Sequence, residues 1–201
     1  MFDKLKIHAR HGIESPICER WLKFCDGHEV HIHKDYNKWH DAGIYIADLV
    51  ANNKGIVVNC DIDCFVMDWG IVRAIIKHMK INGIGYAGVR DDAATIPHRG
   101  NSREVMNPFF NIFDCDIMKV PYGWERLPFV HEPFDELFKG MRRENKYLTF
   151  SAKQGDDGIS TELSFNGKVF CVHTWYAREY EHDELQRERI NKIIERCEGL
   201  L

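Results

Sequence analysis

Apolar and polar residues follow two rhythms along the first sixty positions. "LKIHAR" (5–10), "EVHIHKD" (29–35) and "GIVVNC" (55–60) read as strands. Between them, "SPICERWLKFC" (15–25), opened by Ser15 with Pro16 in its first turn, and "KWHDAGIYIADLVANN" (38–53) read as helices. Strand, helix, strand, helix, strand is the order of a parallel sheet with crossover helices. Ligands of such sheets bind beyond the carboxyl ends of the strands.

The rest of the chain continues less regularly. "DWGIVRAIIKHMKING" (68–83) is an amphipathic helix closed by Gly83, and "GIGYAGV" (83–89) is a short strand. Residues 90–107 carry Pro, Gly, Asn and mixed charge without periodicity, the pattern of a long functional loop or of a mobile insertion. "FFNIFDCDIMKV" (109–120) predicts a strand and "HEPFDELFKGMRREN" (131–145) a helix. "YLTFSAKQGDDGISTELSF" (147–165) predicts a strand, an acidic turn and a helix; "KVFCVHTW" (168–175) is a last strand before a charged terminal helix. No internal repeat interrupts this order, and one domain is expected over 1–201.

The strand 55–60 ends in two carboxylates one residue apart, Asp61 and Asp63. Carboxylates that close repel unless something positive lies between them, and two of them at a strand end suit a hard divalent cation, Mn2+ or Mg2+, with positions left open for diphosphate oxygens. The bland alternative is that they cap the following turn. In "QGDDGIS", Asp156 and Asp157 stand where a helix is expected to begin, either as caps or as a carboxylate able to take a proton from a hydroxyl. His173, on an apolar strand, is a core histidine or a metal ligand. His31 and His33 share a strand face, but no suitably spaced glutamate and distal histidine follow to complete an H-x-H metal site of the cupin type.

Taken in order, the βαβαβ start, "NCDID", "NPFFNIFDCDI", "GDDGISTELSF" and "VHTW" resemble the metal-dependent glycosyltransferases of the GT-A fold over roughly residues 4–180. The resemblance implies a Rossmann-like three-layer α/β/α sandwich with a mostly parallel central sheet, its nucleotide-sugar half at about 1–90 and its acceptor half at about 91–201. It implies that Asp61 and Asp63 chelate Mn2+ or Mg2+ on a nucleoside-diphosphate sugar, that His173 completes the metal site, and that Asp157 is the base of an inverting transfer to a glycan or glycoconjugate hydroxyl. The family's acidic pair is usually Glu-Asp; Asp-Asp here leaves Asp156 as the other base candidate and retaining chemistry open. The first two strand ends face the nucleotide in that family, which brings in His8, Arg10 and Asp35, while His98 and Arg99 on the long loop are candidates to close over the diphosphate.

Two other readings compete. A haloacid-dehalogenase-like phosphatase would use Asp61 as nucleophile, Asp63 as acid and base, Lys153 as charge partner and Asp156 with Asp157 for Mg2+. That family places its D-x-D on the first strand, whereas two βα units precede it here. A carbohydrate-binding module that keeps the fold without turnover is the third.

A net charge of −4 and a pI of 6.3 give no basic excess to hold a nucleic-acid backbone. Seven cysteines without C-x-x-C spacing predict neither a disulfide framework nor a zinc knuckle. No stretch approaches the ~18 apolar residues of a membrane span, and "MFDKLKIHARHG" does not read as a signal peptide, so a cytoplasmic protein with no transmembrane segment is expected.

Overall fold

The computed structural model describes residues 4–10, 16–36, 41–90, 106–120 and 135–201, without the side chains of 135–138. The three early strands form where the period-two pattern places them: β1 (Lys6–Arg10), β2 (Glu29–His33) and β3 (Ile56–Cys60). Helices α1 (Pro16–Lys23) and α2 (Ala42–Asn52) cross between them, and β1 pairs parallel with both neighbours.

After β3 the chain changes style. A three-residue strand, β4 (Cys64–Val66), precedes α3 (Trp69–Asn82). Asp68 caps α3 by accepting from the Ile71 amide, and Gly83, at φ 61°, ends it in the left-handed conformation that suits glycine. Then come β5 (Tyr86–Arg90), β6 (Met106–Asp114), α4 (Asp135–Glu144), β7 (Tyr147–Gln154), β8 (Ser160–Phe165), β9 (Lys168–Thr174) and α5 (Glu184–Glu198).

The nine strands among the described residues form one sheet in the order β2-β1-β3-β6-β5-β7-β8-β9-β4. The expected mostly parallel sheet is corrected here: β5 pairs parallel with β7, but β6 runs antiparallel to β3 and β5, and β7, β8, β9 and β4 form an antiparallel meander. Alternation reports which face a residue lies on, not strand direction; direction follows from the connections, and only helical crossovers enforce parallel pairing. The helix expected at 159–165 is instead β8. Asn166 and Gly167, both at positive φ (50° and 77°), make the tight turn that joins β8 to β9 as a hairpin.

Helices cover both faces. Ile17 and Trp21 of α1, Val72, Ile75 and Met79 of α3, and Ile190 and Ile194 of α5 pack with Ile7 and Val58 in one apolar cluster. Tyr45, Ile46 and Leu49 of α2 and Met141 of α4 pack with Val57 and Phe113 in the other. Val57 and Val58 thus enter opposite clusters, as successive strand residues must.

The sheet must also curl. β3 is third and β4 ninth in the order, yet only three residues separate Cys60 from Cys64. Six strand spacings on a flat sheet are about 29 Å, whereas four chain steps reach about 14 Å at most. The D-x-D segment is therefore the bridge across which the two ends of a curled sheet approach each other.

Candidate active site

The linker 61–63 is fixed through its backbone. The Asp61 amide donates to Phe109 O of β6 (2.8 Å), and the Thr174 amide of β9 donates to Asp63 O (2.9 Å). Both carboxylates, half-buried, remain available for chemistry. Burial pushes the Asp61 carboxyl up to about 7, against the pull of the Arg10 guanidinium; Asp63 adds to the rise and Arg178 opposes it.

His173 is brought to the same place. Its Nε2 lies 3.5 Å from Asp63 Oδ1, a contact that becomes an ion pair when the imidazole is protonated. The ring stacks on Phe109 (centroids 4.1 Å apart, 4° between planes) and meets Trp175 edge-on (4.4 Å, 90°). Its Nδ1 is buried without a hydrogen-bond partner among the described residues.

A polar row leads away from this corner along the face under α2. His31, His8, Asn59, Asn111 and Gly88 lie in register across β2, β1, β3, β6 and β5. His8 stacks against His31 and His33 (4.6 and 5.1 Å), and its Nδ1 is 2.9 Å from His33 Nε2. Burial, then the neighbouring His31, His33 and Lys6, holds the His8 imidazole down at about 3, so it is neutral. Asn59 Nδ2 donates to Pro108 O and to Asn111 Oδ1 (3.3 Å), and a side chain at Gly88 would sit 2.6 Å from Asn111 Nδ2, which keeps that position glycine. Three buried atoms on this face have no partner among the described residues: His8 Nε2, Asn59 Oδ1 and Tyr45 Oη. Buried polar atoms normally have partners, so three bare ones together mark a place for a polar ligand or water.

The acidic turn reaches the same edge of the sheet, because the Trp175 amide donates to Ile159 O (2.7 Å) next to the Thr174 that holds Asp63. It does not begin a helix, as expected, but a strand. Asp157 Oδ1 accepts from the amides of Ile159 (2.9 Å) and Ser160 (2.7 Å), and Oδ2 accepts from Ser160 Oγ (2.6 Å). Arg189 of α5 donates to Asp157 O (2.7 Å), and Arg196 lies 3.7 Å from its Oδ2. Asp156 is exposed and its carboxylate makes no hydrogen bond among the described residues.

The structure thus gathers Arg10, Asp61, Asp63, His173 and the turn 155–159 at one edge, with His8 on the adjoining face. Asp35 lies exposed beyond β2, and Lys153 is exposed on β7 opposite Glu162. His98 and Arg99 lie outside the described residues. Among the described residues no three His, Cys, Asp or Glu side chains converge as a ready metal cage, and no helix is long and apolar enough to cross a membrane. A cavity of about 390 Å3, lined by Met67, Glu162, Val169, Val172, Arg196 and Leu200, lies beside α5 rather than at the linker. Sequence reasoning missed Tyr45, Asn59, Phe109, Asn111 and Arg178. Of these, Asn59 and Asn111 left a signal, each an amide inside an otherwise apolar strand.

No family model matches the chain, and no characterised protein is significantly similar to it in sequence. Among solved structures, the chain is similar to a glycosyltransferase involved in the glycosylation of the major capsid of PBCV-1 (10% identity, TM-score 0.47, 73% of this chain and 81% of that one). It is also similar to A197 from STIV (10%, TM-score 0.46, 84% and 93%). A third, a Bacillus anthracis protein assigned as a glucose-1-phosphate thymidylyltransferase, has 11% identity and a TM-score of 0.41 over 95% and 94% of the two chains. At such values the likenesses assign no activity to this chain.

Proposed function

We propose that this chain is a metal-dependent glycosyltransferase, moving a sugar from a nucleoside-diphosphate donor to an acceptor hydroxyl. The observation that carries the reading is the D-x-D linker: two aspartates held by backbone bonds at the junction of a curled sheet, one of them with its carboxyl desolvated in the field of Arg10 and Arg178. Their donor set fits Mn2+ or Mg2+. Such cations are commonly held by one or two carboxylates with substrate phosphates completing the shell, so the lack of a three-residue cage is compatible with them. When bound, the cation neutralises the charge that develops on the leaving diphosphate.

The chain's own residues do the rest. Asp61 and Asp63 would hold the cation, and His173, whose Nε2 lies 3.5 Å from Asp63 Oδ1, would orient that carboxylate. The positive charges of Arg10 and Arg178 oppose the rise of the Asp61 carboxyl and so temper its repulsion by Asp63. Asp156 takes the proton of the acceptor hydroxyl, in preference to Asp157, whose oxygens are engaged by the turn. The deprotonated acceptor oxygen would bond to the anomeric carbon on the face opposite the diphosphate, which leaves as its bond to that carbon breaks, and the configuration would invert. His8, Asn59 and Tyr45, with their bare polar atoms, line the adjoining nucleoside crevice.

The test is incubation with a panel of nucleotide sugars and Mn2+, followed by detection of released nucleoside diphosphate. Release that depends on Mn2+ and disappears in Asp63→Ala supports the reading. Hydrolysis of phosphate monoesters in its place favours the phosphatase, and metal-independent sugar binding without turnover favours a binding module.

A further inference from the structure

We propose that the edge of the sheet opposite the D-x-D linker docks on an anionic lipid surface. Ile81, in the last turn of α3, is 72% exposed, more than any other large apolar residue among those described; Ile117, in the turn after β6, is 45% exposed. Around them stand the exposed cations Lys77, Lys80, Lys119, Arg142, Arg143 and Lys146, against the exposed acids Asp116 and Glu144 among the described residues.

Three segments are fastened into one surface here. Lys146 Nζ donates to Asn82 O (3.5 Å), the Lys119 amide donates to Asn145 Oδ1 (2.8 Å), and Asn145 Nδ2 donates to Lys119 O (2.9 Å). The carboxyl ends of α3 and α4 meet at this edge, and cations in a last helical turn complement the helix dipole. That accounts for Lys80, Arg142 and Arg143. It accounts for neither Lys119 and Lys146, which are outside helices, nor the two isoleucines.

Charge and shape select the occupant. The chain carries −4 overall, so this edge is a positive island on an acidic protein and is complementary to an anionic surface. A nucleic-acid backbone would use the cations but gain nothing from exposed isoleucines. A bilayer of anionic lipids uses both, the isoleucines entering the headgroup boundary while the cations meet the phosphates. Asp61 meets β6 at Phe109 while Ile56 pairs with Asp114 at its other end, so about 17 Å of strand separates the two edges. Docking by the one edge therefore turns the D-x-D edge away from the membrane. The inference stands on its own and does not require the transferase reading.

Sedimentation of the full chain with phosphatidylcholine vesicles, with and without phosphatidylserine, tests it. Binding is expected only to the anionic vesicles and weakens with salt. Lys80→Glu combined with Lys119→Glu should lower partitioning by tenfold or more, at about fivefold per lysine. Ile81→Asp, at an exposed site, should lower vesicle binding while leaving retention on heparin unchanged. Circular dichroism confirms that the variants are folded. Absence of binding to anionic vesicles at low salt, or equal binding to neutral ones, overturns the proposal. Vesicle binding insensitive to Ile81→Asp, with heparin retained as strongly, assigns the edge to a polyanion instead and also overturns it.

Discussion

The linker 61–63 and the turn 155–159 each bring two carboxylates to the same edge of the sheet, but what holds each segment differs. In the linker, backbone groups of β6 and β9 grip the chain, so its path does not depend on hydrogen bonds from the carboxylates of Asp61 and Asp63. In the turn, the Asp157 carboxylate is itself the clamp, binding two amides and a hydroxyl. A carboxylate that holds its own backbone contributes stability. One whose backbone is held by others is left to bind a ligand, and costs stability while it waits.

The largest effect that would break this comparison lies within the turn. If Asp156 is the free member and Asp157 the clamp, Asp156→Asn should lower glycosyl transfer by ~10²–10⁴-fold, the usual worth of a positioned base, with donor affinity unchanged. Steady-state rates with saturating donor decide it. Should Asp157→Asn cause the greater loss of turnover at unchanged stability, the clamp and the base are the same residue and the contrast fails.

Next in size is stability. Asp157→Ala strands the amides of Ile159 and Ser160, both buried, together with the Ser160 hydroxyl. The expected loss is about 2 kcal/mol, within the range for caps and for buried donors left unpaired. Urea unfolding measures it, with Asp63→Ala as the partner variant expected to unfold near the wild-type midpoint. In the ligand assay the order reverses. Asp63→Ala should weaken Mn2+-dependent binding of a nucleoside diphosphate at least tenfold, about 1.4 kcal/mol, by calorimetry, and Asp157→Ala should leave it intact.

The same contrast explains what could be read beforehand. Asp61 and Asp63 were legible because an apolar run, Ile56 to Val58, announces a buried strand and its end. Two crossover helices made the parallel pairing of β1, β2 and β3 legible as well. The curl was not, since it follows from which strand β4 joins, and a three-residue strand has too few positions to show a period. Nor was β8. In "ISTELSFNGKVF" the Asn166-Gly167 pair signals a hairpin, but reading Asp157 as a helix cap drew the following residues into a helix. An aspartate three residues before Ser160 caps a strand as readily as a helix, because the bond needs only a nearby amide. The bare atoms of His8, Asn59 and Tyr45 come from three elements and meet only after folding.

The smallest expected effect concerns the cost of keeping a free carboxylate. Asp61 has its carboxyl raised from 3.8 to about 7, first by burial and then by Asp63, with Arg10 and Arg178 opposing. Between those values the folded chain keeps a proton that the unfolded chain has released, so the contribution of Asp61 to stability is present at acid pH and is lost as pH rises toward 7. Asp61→Asn has no proton to lose. Without added metal, its urea midpoint should match wild type near about pH 4 and exceed it near about pH 8, beyond the window in which Asp61 ionises. Asp157→Ala should be weaker than wild type near about pH 8, where a clamp is missing rather than a charge relieved. Manganese should then raise the stability of wild type at the higher pH and do little for Asp61→Asn, because binding the cation is what offsets the buried charge. A variant that keeps the wild-type pH slope would mean that the Asp61 carboxylate is solvated in the folded chain, and the linker would no longer differ from the turn in what its carboxylates cost.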